Sequence, residues 1–520
     1  MRTTLYRDPS EIFLHDAVLE SCRTFGEREA IVATCAGVRL SYARLGERIE
    51  AAARGLIRAG LKPGEVVAIF LANSWEYVVA VHAITLAGGV PTLLNPSYKE
   101  REARFQLENS GAVMLISDTT RLNGINLQDL PLRRVYCTHQ EITGAMPFAG
   151  LLKGGTSALL PAAHGPEETL AALPYSSGTT GLPKGVMLSH HNLVANIYQF
   201  LCPGEQATPT RDDRMLCFLP LYHIYGLNVA LNPTLLVGAT MILMPRFDLE
   251  ALLRLIVEEE ATYLPQVPPV MNALCAAAEQ GRFPKTHRIR ATKSGAAPLA
   301  PELAKRFDEL TGIPVRQGYG MTEASPVTHL GFFEQELYRP ASIGQAVAQT
   351  ECRIVHEDGS DCAPGEAGEL LMRGPQFMRG YWKAPEATAS VLRDGWYWSG
   401  DIAVRNDDGF YQIVDRRKEM IKFKGFPIAP AEVEAVLLEH PALRDCGVVG
   451  KPDTTAGEIP IAFIVARDGQ SCCARLADQL CGYVGERLAH YKQPKEVRFV
   501  SSIPRNPSGK ILRKDLRSQL

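Results

Sequence analysis

Long uninterrupted hydrophobic runs are scarce in this sequence. The uncharged span between His223 and Arg246 is broken by Asn228, Asn232, Pro233 and Gly238, so a membrane-crossing helix is not expected there. A buried helix, a turn at Gly238-Ala239 and a short strand from Thr240 to Met244 account for the same residues. An excess of charge of one sign is also missing. The 55 Lys and Arg nearly balance the 57 Asp and Glu. Whole-chain electrostatics therefore gives no case for nucleic acid or an anionic membrane, and any anionic ligand must be held locally. The twelve cysteines form no C-x-x-C pair, and only Cys472 and Cys473 are adjacent. That fits neither a zinc site nor a disulfide framework and points to reduced thiols in the cytoplasm. Fixed-period repeats and low-complexity tracts are absent. The stretch Met1 to Asp8 meets charge before any apolar core forms, so no secretory signal is expected, and Ser518-Gln519-Leu520 lacks the central basic residue of a peroxisomal address.

What is present is ordinary folded-protein material: 46% hydrophobic residues over 520 positions, too many for one core, so two or more domains are expected. Amphipathic stretches such as Tyr42 to Ala59 alternate with apolar strands such as Val66 to Leu71 and Val113 to Ser117, which reads as β-α units around largely parallel sheets. From Ile343 to about Asp415 the texture becomes short strands with Gly/Asp/Pro turns, a small β-rich subdomain. Beyond it come a strand from Met420 to Phe423 and a helix opened by Pro430-Ala431-Glu432. The expected fold class is α/β. Residues 1–415 form a large N-terminal domain of two β-α sheet subdomains plus the β-rich one, and residues 416–520 a small, mobile α+β domain.

The strongest local signal is Tyr175-Ser176-Ser177-Gly178-Thr179-Thr180-Gly181-Leu182-Pro183-Lys184-Gly185, placed after the apolar Leu170 to Leu173. Its glycines let backbone N–H groups approach a phosphate chain, the hydroxyls add donors, and Lys184 supplies a point charge. The Walker A pattern does not fit it. Taken alone, the segment has a second, weaker reading as a flexible Ser/Thr/Gly surface loop.

Four further segments accompany it in order: Gln317-Gly318-Tyr319-Gly320-Met321-Thr322-Glu323, Gly395-Trp396-Tyr397-Trp398-Ser399-Gly400-Asp401, Ile413-Val414-Asp415-Arg416-Arg417-Lys418 and Pro504-Arg505-Asn506-Pro507-Ser508-Gly509-Lys510. With them the chain resembles, over essentially its whole length, the adenylate-forming superfamily of acyl-CoA synthetases, peptide-synthetase adenylation domains and firefly luciferase. The resemblance implies ATP, Mg2+ and coenzyme A as ligands and a small carboxylic acid as substrate. Tyr319 beside Gly295-Ala296-Ala297 then forms the adenine slot, with Gln317 in the same motif. Thr322 serves the α-phosphate and Glu323 offers a hard oxygen to magnesium. Asp401 and Arg416 hold the ribose, although either could be a surface ion pair. Lys510 meets the charge that builds during adenylation. Lys418 occupies the hinge position, about which the small domain would turn to withdraw Lys510 and present Lys422, Lys424 and Gly425 to coenzyme A.

Within that superfamily the chain is most similar to 4-coumarate-CoA ligases and their relatives, through Pro220 to Asn228 and Lys293 to Leu299. This implies an acid pocket with His223 near the carboxylate and thiol entrance, Tyr225 able to bond a phenol, Lys293 in the wall, and Gly318 and Gly320 leaving room for a flat ring. Arg246 stands where a lysine meets coenzyme A phosphate. Pro427, Gly226 and Thr328 depart from the coumarate pattern, so an aryl acid and a medium- or long-chain fatty acid both stay open. A carrier-protein acceptor and a luciferase-type oxygenation are the rival outcomes. Arg246, Lys424 and Gly425, and the lack of a carrier domain after Lys510, favour free coenzyme A.

Overall fold

A computed structural model describes residues 8–139, 142–153, 164–176, 183–201, 208–416, 419–423, 426–453, 456–488, 490–506 and 509–520. Of Gln335, Arg416, Lys422, Phe426 and Pro427 it describes the backbone alone. The described residues build five sheets, four in a large N-terminal domain and one in a small C-terminal domain.

The largest sheet has a parallel core, Leu170–Ser176, Val90–Leu93, Val66–Phe70, Met114–Ser117 and Arg134–Cys137 side by side. The central strands Val66–Phe70 and Met114–Ser117 are buried along their whole length, leaving no wet side to alternate toward. Helix Tyr42–Arg58 packs on helices Leu14–Phe25 and Trp75–Leu86. Ser41 caps it by accepting from the Arg44 N–H, and Leu45, Ile49, Ala52 and Leu56 form its buried stripe. Gly55 on this helix lies against the Leu151 backbone, where a Cβ would stand 2.5 Å from a carbonyl oxygen. Helix Trp75–Leu86, capped by Ser74, is buried nearly all round, so its sequence shows no amphipathic stripe.

A second sheet places Glu29–Ala33 between Val38–Ser41 and Thr240–Leu243, the latter pair parallel and joined in turn to Arg214–Cys217. The uncharged span ahead of it becomes a π-helical turn Gly226–Leu231, a helix Asn232–Val237 and the left-handed Gly238 at φ +83°, all but Val237 buried. Among the described residues, no helix is long and apolar enough to cross a membrane. Single bridges at Tyr263 and Gln266 lead from this sheet to a third, Thr292–Ser294, Val315–Gly320, Val327–Leu330 and Gln345–Ala346. The β-rich region follows as an antiparallel sheet of Glu351–Val355, Ala367–Arg373, Trp396–Arg405, Leu392–Arg393 and Tyr411–Arg416.

The small domain is a sheet of Ile421–Phe423, Phe426–Ile428, Gly457–Ala466, Leu443–Asp453 and Glu496–Phe499 with helices Pro430–Leu438, Ala474–Arg487 and Arg513–Arg517. Its core contains a buried ion pair. Glu434 takes two bonds from Arg513 at 2.7 and 2.8 Å and a third from the Val448 N–H, so neither charge is left without a partner.

Candidate active site

Both domains wall one cleft of about 1510 Å³. The carboxyl ends of the parallel strands feed it, which is where an open α/β sheet leaves loops free to form a site. Strand Leu170–Ser176 ends at Ser176, and the chain returns as Lys184–Gly185 pairing back on it. Ser176 and Lys184 therefore line the cleft, whereas Ser177, Gly178, Thr179, Thr180 and Gly181 lie outside the described residues. Strand Val315–Gly320 delivers Gly318, Tyr319 and Gly320, followed by Thr322 and Glu323 on a short 3₁₀ turn.

Glu323 is buried and its Oε1 accepts two bonds, from Ser176 Oγ at 3.0 Å and from the Tyr381 hydroxyl at 2.9 Å. Both donors land on one oxygen of a carboxylate that also lines the cleft. That hard-oxygen donor fits a magnesium ion. The Tyr381 ring also lies 5.1 Å from Lys184 Nζ, so one tyrosine links that lysine to Glu323. Behind Tyr319, its hydroxyl donates to the Asp401 carboxylate, and Asp401 is the register partner of Arg416. The side chain of Arg416 lies outside the described residues, as do Lys418, Lys424, Gly425 and the side chain of Lys422.

The glycines of this strand have reasons the sequence did not disclose. A Cβ on Gly320 would stand 2.0 Å from the Pro326 carbonyl oxygen, since the chain doubles back there and the Met321 N–H bonds that same oxygen. Close backbone approach, more than room for a ring, excludes a side chain at 320. On Gly318 a Cβ would press on Leu330 at 3.2 Å, and Leu330 is itself in the cleft wall, so Gly318 does widen the pocket. Gly226 is likewise pinned, since a Cβ there would stand 2.3 Å from the Pro220 carbonyl oxygen, and Thr328 is buried behind Tyr319 with its hydroxyl on the Tyr319 carbonyl.

One stretch of the cleft wall holds Phe200, Tyr225, Val229, Lys293 and Ala296. Tyr225 is almost fully buried, and its hydroxyl faces two carbonyl oxygens, Lys293 at 2.9 Å and Gln266 at 3.3 Å. Its single proton is committed to them, so toward a ligand Tyr225 can only accept. Lys293 is buried with its ammonium 5.2 Å from the Phe200 ring. His223 accepts the Tyr225 N–H at Nδ1, which leaves its proton on Nε2. Burial pushes its pKa down to about 4, so the ring is neutral at physiological pH.

From the small domain, Lys510 enters the same wall together with Glu432, Lys492, Arg505 and Asn506. Lys492 donates to both oxygens of Glu432 at 2.6 and 2.7 Å. The loop before Lys510 touches the large domain closely: Gly509, at φ +85°, would meet Pro269 at 2.9 Å if it carried a Cβ. Three of the expected residues with described side chains are not in the wall. Gln317 points to a minor crevice and accepts the Leu299 N–H, Arg246 is exposed outside the cleft, and Asp401 is buried behind the wall, where it accepts from the Tyr319 hydroxyl. Sequence reasoning missed Tyr381, Glu432 and Lys492. Tyr381 sits in Arg379-Gly380-Tyr381-Trp382, a run with no spacing or charge pattern to mark it, and the other two are ordinary surface residues by composition.

Fold and cleft together define a nucleotide-using, acid-activating enzyme of two domains. Residues 18–382 match the family model described as AMP-binding enzyme, and residues 432–510 the one described as AMP-binding enzyme C-terminal domain. The chain is 38% identical to 4-coumarate--CoA ligase 5 of Oryza sativa subsp. japonica, over 98% of this chain and 95% of that one. It is 36% identical to 4-coumarate-CoA ligase 1 of Narcissus pseudonarcissus, over 98% and 94%. Among solved structures it is similar to the anthranilate CoA ligase AuaEII in complex with anthranoyl-AMP, with a TM-score of 0.90 at 25% identity, covering 98% of this chain and 97% of that one. It is also similar to a benzoate CoA ligase from Burkholderia xenovorans LB400, with a TM-score of 0.88 at 26% identity, covering 97% and 100%. The chain belongs to the AMP-binding enzyme family, among its AMP-forming acyl-CoA ligases.

Proposed function

We propose that the protein joins an aryl carboxylic acid to coenzyme A in two half-reactions within this cleft. In the first, a carboxylate oxygen of the acid bonds to the α-phosphorus of ATP and the bond to pyrophosphate breaks, giving acyl-AMP. In the second, the thiol sulfur bonds to the acyl carbon, the bond to AMP breaks, and the thiol proton is released. The observation that carries this reading is that Lys510 and Glu323, from separate domains, line the same cleft with Lys184 and Thr322.

The residues act as follows. Lys184 and Lys510 bring fixed positive charge to the phosphates, where it is needed most as pyrophosphate departs. Thr322 donates to the α-phosphate, and Tyr319 and Ala296 take the adenine between them. Asp401 accepts from the ribose hydroxyls, so ATP displaces the Tyr319 hydroxyl from that carboxylate. Glu323 holds magnesium, which when bound neutralises phosphate charge. Neutral His223 presents its Nε2–H to a carboxyl oxygen, orienting the acid rather than taking a proton from it. Lys418 serves as the hinge that exchanges Lys510 for the coenzyme A side of the small domain.

The choice of an aryl acid is supported by the partly apolar wall of Phe200, Tyr225, Val229 and Leu330, and by relatives whose names specify anthranilate, benzoate and 4-coumarate. The cytosol suits the eleven described cysteines, all unbridged. ATP-dependent pyrophosphate release across hydroxycinnamates, benzoates and fatty acids, with products identified by mass spectrometry, tests the reading. Acyl-CoA from aryl acids is expected, and acyl-AMP that accumulates regardless of coenzyme A would overturn it.

A further inference from the structure

The loop that carries Lys510 is held by a second cation. Arg505 donates Nη2 to Asp445 Oδ1 at 2.7 Å and Nε to Asp445 Oδ2 at 3.4 Å, a two-pronged pair that fixes the plane of the guanidinium. Its remaining Nη1 donates to the Gly509 carbonyl at 2.9 Å, the peptide bond next to Lys510. Asn506 closes the loop from inside. Its Oδ1 accepts the Lys510 N–H at 2.8 Å, and its own N–H donates to the Lys510 carbonyl at 2.9 Å. Arg505 and Ile511 pair as an antiparallel bridge across the base. Asp445 belongs to strand Leu443–Asp453 in the core sheet of the small domain.

We propose that Arg505, anchored on Asp445, is a positioning residue for the first half-reaction, transmitting the orientation of the small domain's sheet to Lys510. A long lysine on a turn has many rotamers and no rigid element beneath it. Without the arginine the loop keeps its Asn506 closure and the packing of Ile503 and Ile511 on the sheet, but loses its hydrogen-bonded tie to Asp445. An error of about 1 Å at an electrostatic catalyst costs on the order of 100-fold in rate. This inference rests on the ligase reading above. It goes beyond it in naming Asp445 and Arg505, of which the aspartate lies outside the cleft wall.

The experiment is a double-mutant cycle on the two half-reactions of the full-length chain. Arg505→Met is expected to slow pyrophosphate formation by roughly 10- to 100-fold, with the KM for ATP within about threefold of wild type. Thioester formation from supplied acyl-AMP should stay within about twofold, which also shows that the variant is folded. In a Lys510→Ala background the same substitution should cost nothing further, since its effect passes through the lysine. Asp445→Asn, which leaves the loop sequence intact, should reproduce the pattern more weakly. Full additivity with Lys510→Ala, or equal losses in both half-reactions, overturns the proposal. Wild-type protein that forms no pyrophosphate with any acid removes the ligase reading and this one with it. Active wild type with an equally active Arg505→Met variant overturns this one alone.

Discussion

Lys510 and His223 face the same reaction with different electrostatic tasks. Lys510 works only while charge develops on phosphate, so Lys510→Ala should lower pyrophosphate formation by about 100- to 1,000-fold and leave thioester formation from supplied acyl-AMP within a few-fold. Rapid-quench assays of each half-reaction read this directly, and equal losses would reassign the lysine. His223 is neutral because burial holds it near 4. The ratio of wild-type to His223→Asn rates should therefore stay constant from pH 8 to about pH 5 and fall only below that. An inflection of that ratio near 6.5 would mean that the ring is charged during turnover.

At the level of elements, the turn after strand Val315–Gly320 is the least tolerant part of the site. Gly320→Ala forces a Cβ to 2.0 Å from the Pro326 oxygen, so either the turn opens or the fold yields. The expected cost is about 3 kcal/mol or more in urea titrations, with loss of ATP use even in whatever protein folds. Wild-type stability in this variant would show that the crossing is looser than the structure has it. This turn also marks where reading the sequence succeeds and fails. Helix Tyr42–Arg58 and the strands Val66–Phe70, Met114–Ser117 and Thr240–Leu243 match their expected places within a residue or two, because apolar periodicity is a local property. Tyr319, Thr322, Glu323 and Lys510 were legible through ordered motifs and do line one cleft. Tyr381 was not, since its value comes from touching Lys184 and Glu323, more than 50 residues away on either count. Gln317 shows the reverse. Its neighbours in the motif face the cleft, but its own amide oxygen accepts the Leu299 N–H.

Taken as a whole, the molecule is two bodies meeting at a cleft, and its behaviour should divide accordingly. Lys418→Pro, at the proposed hinge, should spare adenylation and block thioester formation, which pyrophosphate release and acyl-CoA yield measure separately. Normal coenzyme A transfer by that variant would refute the hinge. The large domain also carries an acid liability. Burial holds His15 and His223 at about 4 and His82 and His329 at about 3, whereas the unfolded chain takes those protons near the ordinary histidine value. Lowered native values mean that stability is full above about pH 6.5 and drains as pH falls toward 4, by up to about 3 kcal/mol for each histidine held at 4. Melting temperatures across that window should drop steeply, and a flat profile would mean that these rings keep access to water.

Strand Glu29–Ala33 sits between a neighbour a few residues away and one that begins at Thr240. On the ribosome the hairpin that ends at Ser41 emerges early, yet its other edge has nothing to pair with until about 200 more residues have been made. At typical elongation rates that interval lasts roughly 10–40 s. For that time an apolar strand edge is bare, so the newborn chain, unlike the finished enzyme, is a natural client for chaperones.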